Sequence, residues 1–89
     1  GRVFGLGKCR TALSKGDDLN GILEFGVYAI PDEETAKTLL HAPSERAGRL
    51  IICSADGSGG ARILQEYIND TGERYSRLID GEMVGEWKQ

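Results

Sequence analysis

The 89-residue sequence holds few of the residues that build metal sites, membrane spans or nucleic-acid surfaces. Its two cysteines and single histidine supply too few soft ligands for a zinc cage. It contains no apolar run of roughly 18 residues, the length that indicates a membrane-spanning helix. Eleven basic and fourteen acidic residues give a net charge of -3, which draws in no polyanion. We therefore expect no metal, no cofactor, no membrane insertion and no nucleic-acid partner.

The cysteines do not indicate a disulfide framework. Cys9 lies in a glycine-rich segment and Cys53 in the apolar run 50–53, with no CxxC pair. A thiol in an apolar run behaves as a small hydrophobic side chain. Free thiols and assembly in a reducing cytoplasm are favoured over a bond between the two.

The composition that remains is that of one small globular domain. Hydrophobic residues make up 39% of the chain and charged residues 28%. A chain this short buries only about 60 to 65% of its unfolded surface, so it folds with little margin and has no room for a second domain. Because the sequence begins with Gly1, we expect a piece of a longer protein.

Residues 1–17 are predicted to be a lead-in or linker from a preceding segment, and residues 18–89 to be the domain. The lead-in has four glycines and no sustained helical or strand period, so no core element is expected there. Asp18 and Asn20 then mark a turn, because their short polar side chains can bond to the nearby backbone.

The first half of the domain is predicted to contain one strand and one helix. Residues 26–30 are β-prone and are followed by a proline, which cannot donate to a ladder. Residues 32–40 open with acidic side chains, which suit a helix N-terminus, and pair Glu33 with Lys37 one turn apart. Pro43 is expected to end the helix.

The middle of the chain predicts a central strand followed by a loop. Residues 50–53 are an unbroken apolar run, which favours a strand covered on both faces. Residues 55–60 are too rich in glycine for a regular element. The same loop lacks the Gly-Lys-Ser/Thr ending of a phosphate-binding loop.

An antiparallel meander of three strands is predicted for the C-terminal half, at residues 63–68, 75–79 and 83–87. Gly72 suits the left-handed position of a four-residue turn between the first two strands. Asp80 and Gly81 predict a two-residue type I′ turn between the second and third. The predicted fold class is therefore α+β and mainly β: a small antiparallel meander sheet with one short helix.

Burial sets a problem for such a thin sheet. Ile63 and Tyr67 point to one face of their strand, whereas Leu64 and Ile68 point to the other. One short helix covers only one face. We therefore expect the second face to pack on sister copies of the chain.

Several short motifs give the sequence a resemblance to the pyocin-knob family over about residues 18–88. They are, in order, Asp18-Leu19-Asn20, Phe25-Gly26-Val27-Tyr28, Ala42-Pro43, Gly48-Arg49-Leu50-Ile51-Ile52, Gln65-Glu66-Tyr67-Ile68, Thr71-Gly72-Glu73-Arg74-Tyr75-Ser76-Arg77 and Gly85-Glu86-Trp87-Lys88. The sequence departs from the family pattern at Phe25, where a proline is usual, and at Met83-Val84, where a first tryptophan is usual.

The resemblance implies a non-catalytic, knob-like module of a phage tail fibre, a tailspike or a phage-tail-like bacteriocin fibre. It further implies a homotrimer with sister chains and a place in the virion, assembled in the host cytoplasm. Its role would be host attachment, structural and with a contribution to the binding of cell-surface polysaccharide. The alternative is a monomeric carbohydrate-binding module appended to an enzyme.

Four residues are candidates for contact with a saccharide: Tyr67, Tyr75, Arg77 and Trp87. Aromatic faces suit sugar rings, but sheet packing or a subunit contact is the favoured explanation of the three aromatic side chains. For one of Arg74 and Arg77 the default interpretation is a pair with Glu66 across the strands. Six residues are assigned structural roles: Asp18, Asn20, Gly26, Tyr28, Gly72 and Gly81. His41 is interpreted as a cap or surface residue.

The sequence does not predict an enzyme. The carboxylate pairs Asp17-Asp18 and Glu33-Glu34 are chain neighbours that point apart, whereas glycoside hydrolysis needs two carboxyls facing each other across a cleft. No Gly-x-Ser-x-Gly motif, Ser/His/Asp set or Cys/His pair is evident. A hydrolase is therefore the least favoured function.

Overall fold

The computed structural model describes residues 11–57 and 61–89 of the chain. Cys9 and part of the predicted glycine-rich loop lie outside these residues. The strands of the described part are β1 (Thr11–Ala12), β2 (Gly26–Ile30), β3 (Gly48–Ser54), β4 (Arg62–Asn69), β5 (Arg74–Asp80) and β6 (Met83–Val84). A 3₁₀ helix spans Leu19–Gly21, and the α-helix α1 spans Glu33–Thr38.

The strands form one six-stranded sheet in which spatial order follows chain order, from β1 to β6. β1 pairs with β2 in parallel, and every later pair is antiparallel. The register places Tyr28, Leu50, Tyr67 and Tyr75 side by side across four strands. The predicted fold class, mainly β with one short helix, is confirmed.

Helix α1 forms where predicted but is shorter than the nine residues expected. The Asp32 carboxylate accepts a hydrogen bond from the Thr35 N–H at 2.8 Å, which caps the first turn. At the other end, the Leu40 N–H donates to Asp17 O at 2.9 Å, and Leu40 O accepts from the Leu19 N–H at 3.1 Å. These bridge bonds hold Leu40 extended, so the helix ends at Thr38.

The expectation that nothing before Asp18 belongs to the core is wrong for Leu13. This residue follows β1, its N–H donates to Ala29 O at 2.8 Å, and its side chain is buried in the core. Two residues are too few to produce a periodic pattern, so the spacing of residues 11 and 12 does not predict a strand. The domain boundary after residue 17 stays a prediction.

The two C-terminal turns use glycine at the points where the backbone enters the left-handed region. Gly72 has a φ of 90° in the turn between β4 and β5, as predicted. In the turn between β5 and β6 the loop residues are Gly81 and Glu82, since Asp80 pairs with Met83. Gly81 has a φ of 63° and Glu82 has no positive φ, which is the type II′ pattern and not the predicted type I′.

Strand β6 is also shorter than the predicted 83–87. Gly85, after the end of the strand, still donates its N–H to Leu78 O at 2.8 Å. The chain then leaves β5 and rejoins it at Lys88, which exchanges backbone hydrogen bonds with Ser76 at 2.8 and 2.9 Å. This detour carries Trp87 over the sheet, where its indole Nε1–H donates to His41 O at 2.8 Å. Trp87 therefore joins the end of the chain to the segment after α1.

One face of the sheet, the covered face, carries the hydrophobic core. Its most buried residues are Ile30, Leu50, Ile52, Gln65, Tyr67, Arg77 and Ile79. The layer over it is made by the 3₁₀ helix, α1 and their flanking segments. The buried residues of that layer are Leu13, Leu19, Ala36 and Leu39.

The opposite face, the open face, is formed by the alternate residues of the same strands. Its apolar residues are Val27, Ile51, Cys53, Leu64, Ile68, Leu78 and Met83. The prediction that residues 50–53 are covered on both faces is wrong for the single chain: Cys53 is exposed and Ile51 partly exposed. An apolar run indicates that a strand will be covered, but not which molecule covers it.

Candidate functional site

The four predicted ligand-contact residues lie together on the covered face. Tyr67 and Tyr75 are direct partners across β4 and β5. The Trp87 ring meets the Tyr67 ring edge to face, with 6.5 Å between centroids and 85° between planes. The Arg77 guanidinium carbon lies 4.5 Å from the Trp87 ring centroid, a cation–π contact. We call these four residues the Arg77 cluster.

Burial divides the cluster into two pairs. Tyr67 is 0% and Arg77 6% exposed, whereas Tyr75 and Trp87 are only partly buried. The Tyr67 hydroxyl donates to Arg46 O at 2.6 Å. Burial, with smaller contributions from Asp70 and Tyr75, raises the pKa of Tyr67 to about 12. Within the Arg77 cluster of the single chain, Tyr75 and Trp87 are therefore the residues that present surface to an external ligand.

Gln65 anchors the cluster and was not singled out from the sequence. It is 0% exposed, and its amide nitrogen donates to Leu19 O at 2.7 Å and to Ile22 O at 2.9 Å. Its amide oxygen accepts from Arg77 Nε at 2.6 Å. The side chain thus ties the 3₁₀ helix to β5. The available signal was its place two residues from Tyr67, on the same face of β4.

Arg77 is held in low-polarity surroundings, and one nitrogen of its guanidinium has no hydrogen-bond partner among the described residues. Burial lowers its pKa, and attraction to Asp18 acts in the opposite direction. The buried atoms Arg77 Nη2 and Asn20 Oδ1 make no hydrogen bond within the described residues. The guanidinium is therefore fixed by Gln65 and the Trp87 ring, and it makes no ion pair in this part of the chain.

Asp18 and Asn20 form the predicted turn at the edge of the cluster. Asp18 Oδ1 accepts from the Asn20 N–H at 2.9 Å and lies 2.8 Å from His41 Nδ1. The His41 contact, followed by the Asn20 N–H, lowers the pKa of Asp18. His41 has a φ of 61°, uncommon for a residue with a side chain. Its carbonyl is the acceptor for Trp87, so this backbone position links the turn to the cluster.

Gly26 and Tyr28, the other residues assigned structural roles, lie on β2. Gly26 is its first residue. The Tyr28 hydroxyl donates to Glu24 O at 2.6 Å, closing the bend that leads into the strand. Burial and the nearby Glu24 carboxylate raise the pKa of Tyr28.

The open face is mostly apolar, with charges of both signs. Cys53, Leu64 and Leu78 form one row across three strands, and the free thiol of Cys53 is exposed. Glu66 and Arg74 form an ion pair at 3.3 Å on the same face. Arg74 and Arg77 are three residues apart and point to opposite faces of β5, so they cannot form one phosphate clamp.

Neither a metal cluster nor a membrane helix appears in the part of the chain that the structure describes. Across residues 11–57 and 61–89, no three or more His, Cys, Asp or Glu side chains are grouped to hold a metal ion. Within the same ranges no helix has the length and apolar character needed to cross a membrane.

Comparison with solved structures shows that pyocin tail fibres contain a region of the same fold. Three solved structures share it: an N-truncated R2-type pyocin tail fibre, and C-terminal fragments of the R1 and R2 pyocin fibres of P. aeruginosa. Their TM-scores are 0.80, 0.80 and 0.79 at 22%, 23% and 22% sequence identity. The predicted pyocin-fibre resemblance is confirmed for the fold.

The matched region is nearly all of this chain but a minor part of each fibre. It covers 92%, 92% and 91% of this chain, and 32%, 21% and 22% of the respective solved chains. This chain therefore spans about a third or less of those fibre fragments. No family model and no curated protein matches the sequence.

Proposed function

We propose that the chain is a non-catalytic structural module of a phage tail fibre, a tailspike or a related bacteriocin fibre. The observation that carries this proposal is the fold, which matches pyocin tail fibre domains over 92% of the chain at a TM-score of 0.80. The side chains with unusual environments support a scaffold. Gln65 bonds the covering layer to the sheet, and the Tyr67 hydroxyl and Arg77 Nε donate to partners within the same chain.

In this proposal three copies of the chain assemble into a homotrimer as part of a virion or a phage-tail-like particle made in the host cytoplasm. The open face supports self-assembly, because a row of exposed apolar side chains is costly to leave in water. Three parallel copies would each offer the same face to the others.

The test is the mass of the full-length protein in solution. Sedimentation equilibrium should give three times the chain mass, and gold-labelled antibody to this domain should decorate fibres in electron micrographs of particles. A monomeric full-length protein, or particles that bear no label, would refute the proposal. A monomer would also favour the alternative function, a carbohydrate-binding module appended to an enzyme.

A contribution to the binding of cell-surface polysaccharide belongs to the same proposal as its finer part. Tyr75 and Trp87 support it, since both are partly exposed. Tyr75 lies opposite Tyr67 across the two strands, and Trp87 packs against Tyr67 and Arg77. Preordered aromatic side chains lose little entropy when they meet a ligand. Titration with envelope glycans should shift the NMR signals of Tyr75 and Trp87. In Trp87→Ala the shift of the Tyr75 signals should be smaller. Shifts at neither residue across a panel of glycans would leave only the structural role.

A further inference from the structure

The sheet of this chain has two edges and two faces through which a further chain could be added. Within residues 11–57 and 61–89 the edges are β1 and β6, and each spans two residues. After the end of β6, Lys88 forms a further antiparallel bridge with Ser76 of β5. Short edge strands give a poor template for pairing with another sheet. Assembly by edge addition is therefore disfavoured, and one face is already occupied by the covering layer.

The open face has the character of a contact surface. Leu78 is 41%, Val27 43% and Met83 75% exposed, whereas Arg77 and Ile79, the neighbours of Leu78 on β5, are 6% and 2% exposed. Strands β2 to β5, spaced by about 4.8 Å and about seven residues long, outline a face of roughly 450 Å² in projection. That is the size of the largest apolar patches on monomeric proteins, which are often functional.

The charges on this face favour a second copy of the same chain as its occupant. Glu66 and Arg74 form an ion pair, and Arg49 adds a further positive charge, exposed and without an ion pair in the described part of the chain. A face with a strong charge of one sign would repel its own copy, whereas this one carries both signs. Because neither sign predominates strongly on the open face, it does not attract a highly charged partner.

The area also sets the strength of the contact. A stable interface buries roughly 800 Å² on each partner, so a face of this size gives weak association between free chains. Tethering raises the effective concentration, which makes a weak contact persistent when the rest of a fibre holds the copies together. This fits a module that works inside a longer assembly.

Resting on the proposed function, we infer that the open face of β2 to β5, with Cys53, Leu64 and Leu78 at its centre, is the surface through which copies of this chain pack on one another. Cys53 then reports on the contact. Its thiol is exposed in the single chain and becomes enclosed on assembly.

The test compares alkylation of Cys53 in the full-length assembly and in the dilute 89-residue chain, read by mass spectrometry on the peptide that contains it. We expect the reaction to be at least about tenfold slower in the assembly, because an interface core excludes solvent. Lys37→Cys on helix α1, exposed and remote from the open face, is the control and should react alike in both. Equal Cys53 rates in a trimer would overturn the inference.

A pair of charge substitutions tests the same surface without the thiol. Leu78 and Leu23 are 41% and 40% exposed, but only Leu78 lies on the open face. In sedimentation of the full-length protein, Leu78→Glu should reduce the trimer population at least about tenfold, because it buries an unpaired charge, and Leu23→Glu should not. A trimer that tolerates both changes equally contradicts the inference and leaves the proposed function standing. A monomeric wild type refutes the proposed function itself.

Discussion

The covered and open faces are made by alternate residues of the same strands, yet only the covered face is closed by the chain itself. On β3, Leu50 and Ile52 are 0% and 2% exposed, while Ile51 and Cys53, their neighbours, stay in contact with water. The difference shows that apolar character places residues in a sheet but does not determine which surface covers them. The covering layer is supplied by segments distant in sequence, around the 3₁₀ helix and α1.

The two faces also differ in how they use polar side chains. On the covered face Gln65 and Arg77 are buried and bonded to one another, and Gln65 also donates to two backbone carbonyls. On the open face Glu66 and Arg74 form an ion pair that water reaches, with the Arg74 side chain 65% exposed. Buried polar groups fix one arrangement of the layer, since leaving them unpaired is costly, whereas an exposed pair constrains little.

The largest expected difference between the faces is in the cost of losing an isoleucine. Ile52→Ala should lower the free energy of unfolding of the chain by about 3 to 4 kcal/mol, because it leaves a cavity in a packed core. Ile51→Ala, the adjacent residue of the same type, should cost about 1 kcal/mol, since water can fill the space on the open face. Chemical denaturation followed by Trp87 fluorescence measures both.

Equal losses at Ile51 and Ile52 would mean that the open face is covered within the single chain. In the full-length assembly we expect the cost at Ile51 to rise while that at Ile52 stays the same. The pair therefore separates burial by the chain from burial by its copies.

The second contrast is between two arginines of β5. Arg77→Ala should destabilise the chain by about 2 to 4 kcal/mol, because it strands the buried Gln65 oxygen and removes the cation–π contact with Trp87. Arg74→Ala should cost about 0.5 kcal/mol or less, the value of an exposed ion pair. Thermal unfolding of the two variants provides the comparison, and a large loss for Arg74 alone would reverse the assignment of the faces.

Much of this arrangement follows from local sequence. The strands 26–30, 63–68 and 75–79, the turn at Gly72 and the helix start at Asp32 all show in residue types and short-range spacing. The opposite orientation of Arg74 and Arg77 follows from strand alternation alone. These features depend on neighbours in the chain, so the sequence predicts them well.

What the sequence does not predict depends on distant contacts. Both faces of β4 carry apolar residues. The face with Gln65 and Tyr67 packs in the core because these two side chains donate to carbonyls of residues 19, 22 and 46, which are distant in sequence. β1 is too short for a pattern, and its pairing with β2 joins segments separated by a turn and the 3₁₀ helix. Tyr67 and Trp87 could be named as candidates from their residue type, but the contact between their rings could not be predicted.

The covered face also shields an ionisable group from water, the buried hydroxyl of Tyr67. Because the pKa of Tyr67 is raised from 10.0 to about 12, the folded chain holds this proton after the unfolded chain has lost it. The stabilisation is therefore complete below pH 10 and is lost as the pH rises from 10 to about 12. Ultraviolet titration at the phenolate band should show a late step near pH 12 that Tyr67→Phe removes, along with part of the alkaline loss of stability. A Tyr67 that titrates at its ordinary pKa in the folded chain would mean that the covered face is open to water.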